Sequence, residues 1–386
     1  MLFQDIIGQQ NIKNHLIQSV ENGRIPHAQL FAAPSGSGAL ALAIAYARYI
    51  LCHEKAQKDQ SGCHACHVKF DKLVHPDLHF VFPVNKTEKV KDHPISDLFL
   101  EEWRKFVLQS PYGTLFNWYQ SLGIENKQGQ IGVDEAESIV KKLSLKSFEG
   151  GYKVVIIWMA EKMNATASNK LLKLIEEPPK DTLFILIAEE EEQIINTIRS
   201  RCQLLQFRSL SDFDIQQALV QKEGVDEILA AKIANRSNGN YNNAIHILHN
   251  DANDLTFENW FIFWVRTAFK AKGNATVIQD LIGWSEEIAK TGRETQKRFL
   301  LYCLQFFRQA LMENYKANSL VFYEPSDKNF QIRKFAPFVH GGNILGINEA
   351  LNDAIYHIER NGNAKIILLD LSMQLTRLLH QKEQKV

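Results

Sequence analysis

Apolar positions along the 386 residues change their spacing near residue 210. Before that point, short continuous apolar runs alternate with stretches of helical period. Beyond it, only the helical period remains. Residues 9–21 set Ile12, Leu16, Ile17 and Val20 on one helical face, and Asn22-Gly23 closes that helix. Residues 29–32 read as a strand, followed by a glycine turn and a small-residue helix to about Leu51. A cysteine- and histidine-rich loop covers 52–76, and Leu78-His79-Phe80-Val81-Phe82 is a strand that Pro83 ends. Residues 84–128 are polar and aromatic, anchored by Leu98, Phe99, Leu100, Trp103 and Phe106, and read as an inserted helical excursion. Residues 133–145 predict a helix. Lys153–Trp158 is a continuous apolar run, as expected of a strand buried on both faces. Residues 169–177 predict a helix that Pro178-Pro179 stops, because proline disfavours helix in the residue before it. Thr182–Ala188 reads as another buried strand. This alternation predicts a parallel sheet with helices on both faces. Ser211-Asp212-Phe213-Asp214 marks a capped helix start. Aromatic-rich helical stretches follow at 259–269 and 299–307, with a last helix near 364–381. The expected organisation is an α/β domain over 1–208, a small helical domain over 209–250 and a helical domain over 251–386.

Composition narrows this picture only a little. A chain of this length suits two or three cores, and 45% hydrophobic residues with no low-complexity segment suit a folded protein. Forty-four basic and 44 acidic residues cancel, so any nucleic-acid contact has to come from a local patch. Met1-Leu2-Phe3-Gln4-Asp5 lacks the basic and apolar regions of a signal peptide, and no apolar run is long enough to span a bilayer. A cytoplasmic location is the expectation. Five cysteines, three of them close together, do not look like a disulfide framework; such a cluster in a cytosolic protein more often binds metal.

The first candidate chemistry is a phosphate-binding loop without its lysine. Ala33-Pro34-Ser35-Gly36-Ser37-Gly38-Ala39-Leu40 lies between the strand at 29–32 and a helix, the setting of the motif G-x-x-x-x-G-K-[ST]. In that motif the lysine reaches the β- and γ-phosphates and the hydroxyl holds Mg²⁺. Here Ala39 and Leu40 stand in those places, and Ala33 replaces the first glycine. Losing two charge-assisted contacts costs about 1.5–3 kcal/mol each. That is roughly 10²- to 10⁴-fold in affinity. The second candidate is Cys63-His64-Ala65-Cys66, whose spacing lets two thiolates hold one Zn²⁺, with Cys52 as a third ligand. His53, His64 or His67 is then the candidate fourth ligand. Cys202 and Cys303 lie in apolar contexts and read as packing residues. Residues 189–192 read as a solvated acidic loop, and His75-Pro76-Asp77 as a structural turn.

Several motifs in register carry a family resemblance. They are Asp5-Ile6-Ile7-Gly8-Gln9-Gln10, Gly23-Arg24-Ile25-Pro26-His27-Ala28, Asn169-Lys170-Leu171-Leu172-Lys173-Leu174-Ile175-Glu176-Glu177-Pro178-Pro179 and Ser200-Arg201-Cys202. Together they resemble the clamp-loader branch of the AAA+ ATPases. The resemblance implies an AAA+ sheet domain, a small helical lid and an all-α C-terminal collar. It also places the metal- and water-handling acidic pair on Trp158 and Met159, the lid's sensor arginine near Asn242, and the first sensor near Ala188 or Glu189. None of these can serve ATP, so neither ATP nor Mg²⁺ is expected in the chain's own site. The place of the family's further cysteine between Cys52 and Cys63 falls on Gln60, a poor zinc ligand. The retained element is Arg201, which the family projects as an arginine finger into a neighbouring subunit's ATP site; Arg199 reads as its solvated neighbour.

The resemblance implies a non-hydrolysing subunit in a hetero-pentamer with ATP-binding sister subunits and a clamp-opening subunit. Primed DNA would be met indirectly, and no membrane is involved. Two other readings are an active ATPase of the same branch and a zinc-dependent nucleic-acid-binding module. Ala39, Leu40, Trp158 and Met159 stand against the first. The second would show salt-dependent DNA binding, which the balanced charge disfavours.

Overall fold

Five short runs, two of them continuously apolar, form one parallel sheet. A computed structural model describes residues 1–58, 64–124, 127–149, 151–249, 252–274, 276–317 and 330–382. Strands β1 (Ala28–Ala32), β2 (Leu78–Val81), β3 (Lys153–Trp158), β4 (Thr182–Ala188) and β5 (Gln203–Gln206) lie in the order β2-β3-β4-β1-β5. All four pairings are parallel. Every residue of β3 and β4 is buried, as their unbroken apolar runs predict. Alternate side chains then enter two different cores. Phe31, Ile156 and Ile185 join one face with Leu16, Ile44 and Trp103. Leu30, Val155, Ile157 and Leu186 join the other with Ile139, Leu171 and Ile198. This is the period-two consequence of the pleat.

Helices α1 (Gln10–Glu21), α2 (Ala39–Lys58), α3 (His64–Asp71), α4 (Leu100–Gln109) and α5 (Leu115–Leu122) precede β3, as does α6 (Val133–Ser144). Next come α7 (Ala165–Glu176) and α8 (Asn196–Arg199). Helices α9 (Asp212–Glu223), α10 (Glu227–Arg236) and α11 (Tyr241–Leu248) follow β5. Ser211 and Asp214 form the expected capping box at α9. Three sequence expectations change. Helix α2 runs on to Lys58 and α3 starts at His64, so much of the expected loop at 52–76 is helical. Helix α7 starts at Ala165, because the Asn164 side chain accepts from Ala167 N and caps it. Strand β5 is an addition to the expected strands.

The chain divides into two compact units, one holding Met1–Ile124 and Gln128–Leu248, the other Glu125–Lys127 and His249–Val386. The second unit is helical among its described residues: α12 (Ala252–Lys270), α13 (Thr276–Ala289), α14 (Arg293–Asn314), α15 (Ile332–Phe335), α16 (Ile344–Glu359) and α17 (Ala364–Leu378). Its aromatic stretches are mostly core, with Phe261, Trp264, Phe299 and Phe307 buried together and Trp264 stacked on Trp284 at 5.1 Å. The Trp264 indole N–H donates to Ser372 Oγ at 2.8 Å, which satisfies a polar atom that burial would otherwise penalise. Among the described residues no helix is long and apolar enough to cross a membrane.

Candidate functional site

The loop at 33–40 leaves the C-terminal end of β1, the end of a parallel sheet where ligands bind in open α/β folds. Gly36 and Gly38 take φ of +69° and +89°, values that L side chains rarely adopt. The glycine turn expected between β1 and α2 is therefore present. The motif's lysine and hydroxyl are not. Ala39 and Leu40 are buried in the hydrophobic core rather than turned to a ligand. Trp158 and Met159 are likewise 3% exposed each. The Trp158 ring packs 5.2 Å from Trp103 and 6.0 Å from Phe106, both on α4 of the insertion. Ala33, Gly36, Gly38, Ala39, Leu40, Trp158 and Met159 do converge on one cavity, as the sequence reading grouped them.

That cavity measures about 30 Å³. This is room for about one water, against roughly 300 Å³ or more for usual small-molecule pockets. The chain's own side chains fill the remainder. Tyr112, from the insertion, is 7% exposed and lies over Gly38: a Cβ there would stand 2.6 Å from Tyr112 Cε1. Its hydroxyl accepts from Ile7 N at 2.7 Å, and burial pushes its pKa up to about 12. On the other side its ring meets Tyr241 of α11 at 5.1 Å, edge to face. Asn240 presses on Gly36, where a Cβ would fall 1.9 Å from Asn240 Oδ1. Asn242, the expected sensor position, is half-buried and not among the residues lining the cavity; its neighbour Asn240 makes the approach. Of the lining residues only Glu189 carries charge, the wrong sign for a phosphate. Nearby Glu161 has its pKa raised to about 7, by burial first, with Glu189 adding to the rise.

Tyr112 and Asn240 are the side chains packed on the loop that sequence reasoning missed. Tyr112 is 105 residues from the backbone group it holds, inside a segment that matched no motif. Further contacts tie the insertion to the helices after β5. Asn117 Nδ2 lies 3.3 Å from His246 Nε2, and Lys222 Nζ sits 6.0 Å from the centre of the Tyr112 ring. Tyr112 itself belongs to the apolar cluster of α9–α11, with Ile215, Leu219 and Ala234.

Arg201 lies at the opposite end of the sheet. Gln203 pairs with Gln29 and Gln206 with Ala32, so Arg201 precedes the strands and the loop follows them. At about 3.3 Å per residue the two are separated by at least about 10 Å along the strands. The Arg201 side chain is 41% exposed and makes an ion pair from Nη2 to Glu176 Oε1 at 2.7 Å. Its Nη1 donates to Thr197 O at 2.9 Å. Arg199 is half-buried rather than fully solvated, and its Nη2 donates to Asn196 Oδ1 at 3.3 Å. Burial raises the Cys202 thiol to about 11, which suits the packing role expected of it.

The cysteine segment departs from its expected arrangement. Cys52, in the C-terminal half of α2, and Cys66, on α3, are joined as a disulfide with Cα atoms 6.4 Å apart. In this form neither is a thiolate available to a metal. Cys63 and the side chains of His53 and His64 lie outside the described residues, as does Gln60. His67 turns its Nδ1 to the Arg48 guanidinium, 2.8 Å from Nη2. Cys66, His75 and Glu149 bring ligand-type atoms within 4.8 Å of one another. His75 and Glu149 are engaged in holding the chain: Asp77 N donates to His75 Nδ1, Lys69 pairs with Glu149, and Asp77 accepts from Phe148 N and Glu149 N. His75-Pro76-Asp77 thus fastens the segment before β3.

Comparison with known proteins bears on the same unit. The family model described as DNA polymerase III, delta subunit matches residues 8–211. The DNA polymerase III subunit delta′ of Bacillus subtilis is 29% identical over 243 residues, covering 63% of this chain and 60% of that protein. The subunit of the same name from Escherichia coli is 30% identical over 190 residues, covering 49% of this chain and 44% of that one. The matched part is thus about half the length of these relatives. A solved DNA polymerase III gamma subunit-related protein from Thermotoga maritima aligns over 95% of this chain and 99% of its own, at 12% identity and a TM-score of 0.38. With a family match over more than half of its length, this chain belongs to the DNA polymerase III delta-type subunits of the clamp-loader AAA+ family.

Proposed function

We propose that the chain is the non-hydrolysing δ′ subunit of a clamp loader, a stator in the ATP-dependent loading of a sliding clamp onto primed DNA. One observation carries this reading. The end of the sheet that would handle nucleotide is filled by the chain's own side chains, while the other end offers a guanidinium to solvent. A finger at least about 10 Å along the strands from its own loop cannot complete that loop's site. It suits a site on a neighbour. Guanidinium fits the task because it stays charged and donates in a fixed fork to phosphate oxygens. The partners are then ATP-binding sister subunits and a clamp-opening subunit in a cytoplasmic hetero-pentamer, with primed DNA reached through the assembly.

The test is ATP turnover by the reconstituted complex. Arg201→Ala should lower turnover at the site it serves on the order of 10³-fold while the complex still assembles. Unchanged turnover would remove the finger from the account.

Zinc is proposed for the reduced form of the segment around Cys66. Cys52, Cys63 and Cys66 supply three thiolates, and His53 or His64 suits the fourth place better than His67, whose Nδ1 faces a cation. Metal analysis of protein purified with reductant should find one zinc per chain; a metal-free, folded preparation would exclude the site.

A further inference from the structure

Helix α7 ends against the rule for its own dipole. Its last residue is Glu176, and Glu177 follows as the cap. Carboxylates are unfavourable at a helix C-terminus, where the unpaired carbonyls already gather negative charge. Pro178-Pro179 then fixes the end of the helix at this place, so Glu176 cannot escape by extending the turn. A local rule broken without an evident local gain points to a role elsewhere. The structure shows what the carboxylate faces: Glu176 Oε1 stands 2.7 Å from Arg201 Nη2.

Arg201 is therefore held at two points. Thr197 O takes one donor of Nη1, and Glu176 takes one donor of Nη2. A guanidinium has five N–H donors, so three remain to meet a ligand. A long side chain on a surface normally samples many rotamers, and ordering it on binding opposes the interaction. Here the head group is ordered in advance by a carboxylate on one helix and a carbonyl on another. Arg199, two residues earlier, spends its contact on Asn196 and does not compete for Glu176.

We propose that Glu176 is a positioning residue for Arg201, presenting its guanidinium fork outward toward the neighbouring subunit's nucleotide. The inference rests on the reading of Arg201 as a finger in trans. It assigns the first glutamate of Glu176-Glu177-Pro178-Pro179 to the neighbour's reaction rather than to the fold of this chain.

The experiment is a double-mutant cycle on ATP turnover by the reconstituted complex, with Arg201→Ala, Glu176→Ala and the pair together. Glu176→Gln keeps the size of the side chain and guards against loss of folding. Glu176→Ala should lower kcat about two- to five-fold, the range of a half-exposed ion pair, with KM for ATP and assembly unchanged. Glu176→Gln should fall between it and wild type. The double variant should match Arg201→Ala alone, because Glu176 has no route to the reaction except through the arginine. Three results would overturn the inference. If Arg201→Ala lowers turnover and both Glu176 variants do not, the finger stands and the positioning role fails. If Glu176→Ala costs as much in the Arg201→Ala background, Glu176 acts by another route. If Arg201→Ala itself changes nothing, the finger reading and this inference fall together.

Discussion

The loop after β1 and the turn before β5 begin and end on adjacent strands, and they carry opposite kinds of residue. At the loop, Ala39, Leu40, Trp158 and Met159 are all buried, and Tyr112 lies on Gly38. At the turn, Arg201 is half in water and tied by two polar contacts. The difference lies in what each end offers a ligand: packed apolar side chains at one, a solvent-facing guanidinium at the other. Apolar substitutions at the loop are not scattered damage. They form one packed surface with the aromatics of the insertion, Trp103 and Phe106 against Trp158. Tyr112 and Asn240 join the loop to the segment after β5. The proposed stator role follows from that contrast.

The contrast can be broken most strongly at Arg201. Arg201→Lys keeps the charge and removes the fork, so turnover of the assembled complex should stay close to that of the alanine variant, itself down on the order of 10³-fold at the served site. Full rescue by lysine would mean that charge alone matters. Next in size is the plug. Tyr112→Ala empties a buried aromatic site and should cost about 3–5 kcal/mol in denaturant unfolding of the first unit. Hydrogen exchange should speed up in α9–α11, since Tyr112 is part of their apolar cluster. Unchanged exchange there would separate the insertion from those helices.

A pH effect tests the anchoring of the insertion. Ser96 N, within it, donates to Glu135 Oε2 at 2.5 Å, and burial raises the Glu135 pKa from 4.5 to about 7. Between those two values the folded chain keeps a proton that the unfolded chain has lost. Stability should therefore fall as pH rises through that window, by on the order of 1–3 kcal/mol, and level off above it. Glu135→Gln should flatten the fall; an unaltered pH profile would show that Glu135 does not titrate in this way. Smallest is Tyr112→Phe, which leaves Ile7 N without its acceptor and should cost about 1 kcal/mol.

Much of this was legible before the fold was known. The runs at Lys153–Trp158 and Thr182–Ala188 could only be strands covered on both faces, and they are. The grouping of Ala39 with Trp158 and Met159 was implied by the family resemblance, and the parallel order brings the ends of β1 and β3 to either side of β4. Strand β5 escaped because Gln203-Leu204-Leu205-Gln206 is short, largely exposed and defined by its partner β1 rather than by its own pattern. The extension of α2 escaped because its last turns, through His53-Glu54-Lys55-Ala56-Gln57-Lys58, carry no apolar period. Tyr112 escaped for a different reason: a plug is a long-range contact, and neither local propensity nor period reports it.

The central claim is that the loop at 33–40 is closed to nucleotide by its own chain. Equilibrium titration of labelled ATP with Mg²⁺ into the purified protein tests it most directly. The account predicts no saturable binding below about millimolar concentration, in line with the loss of two charge-assisted contacts. Micromolar, Mg²⁺-dependent binding that competes with unlabelled ATP would contradict it.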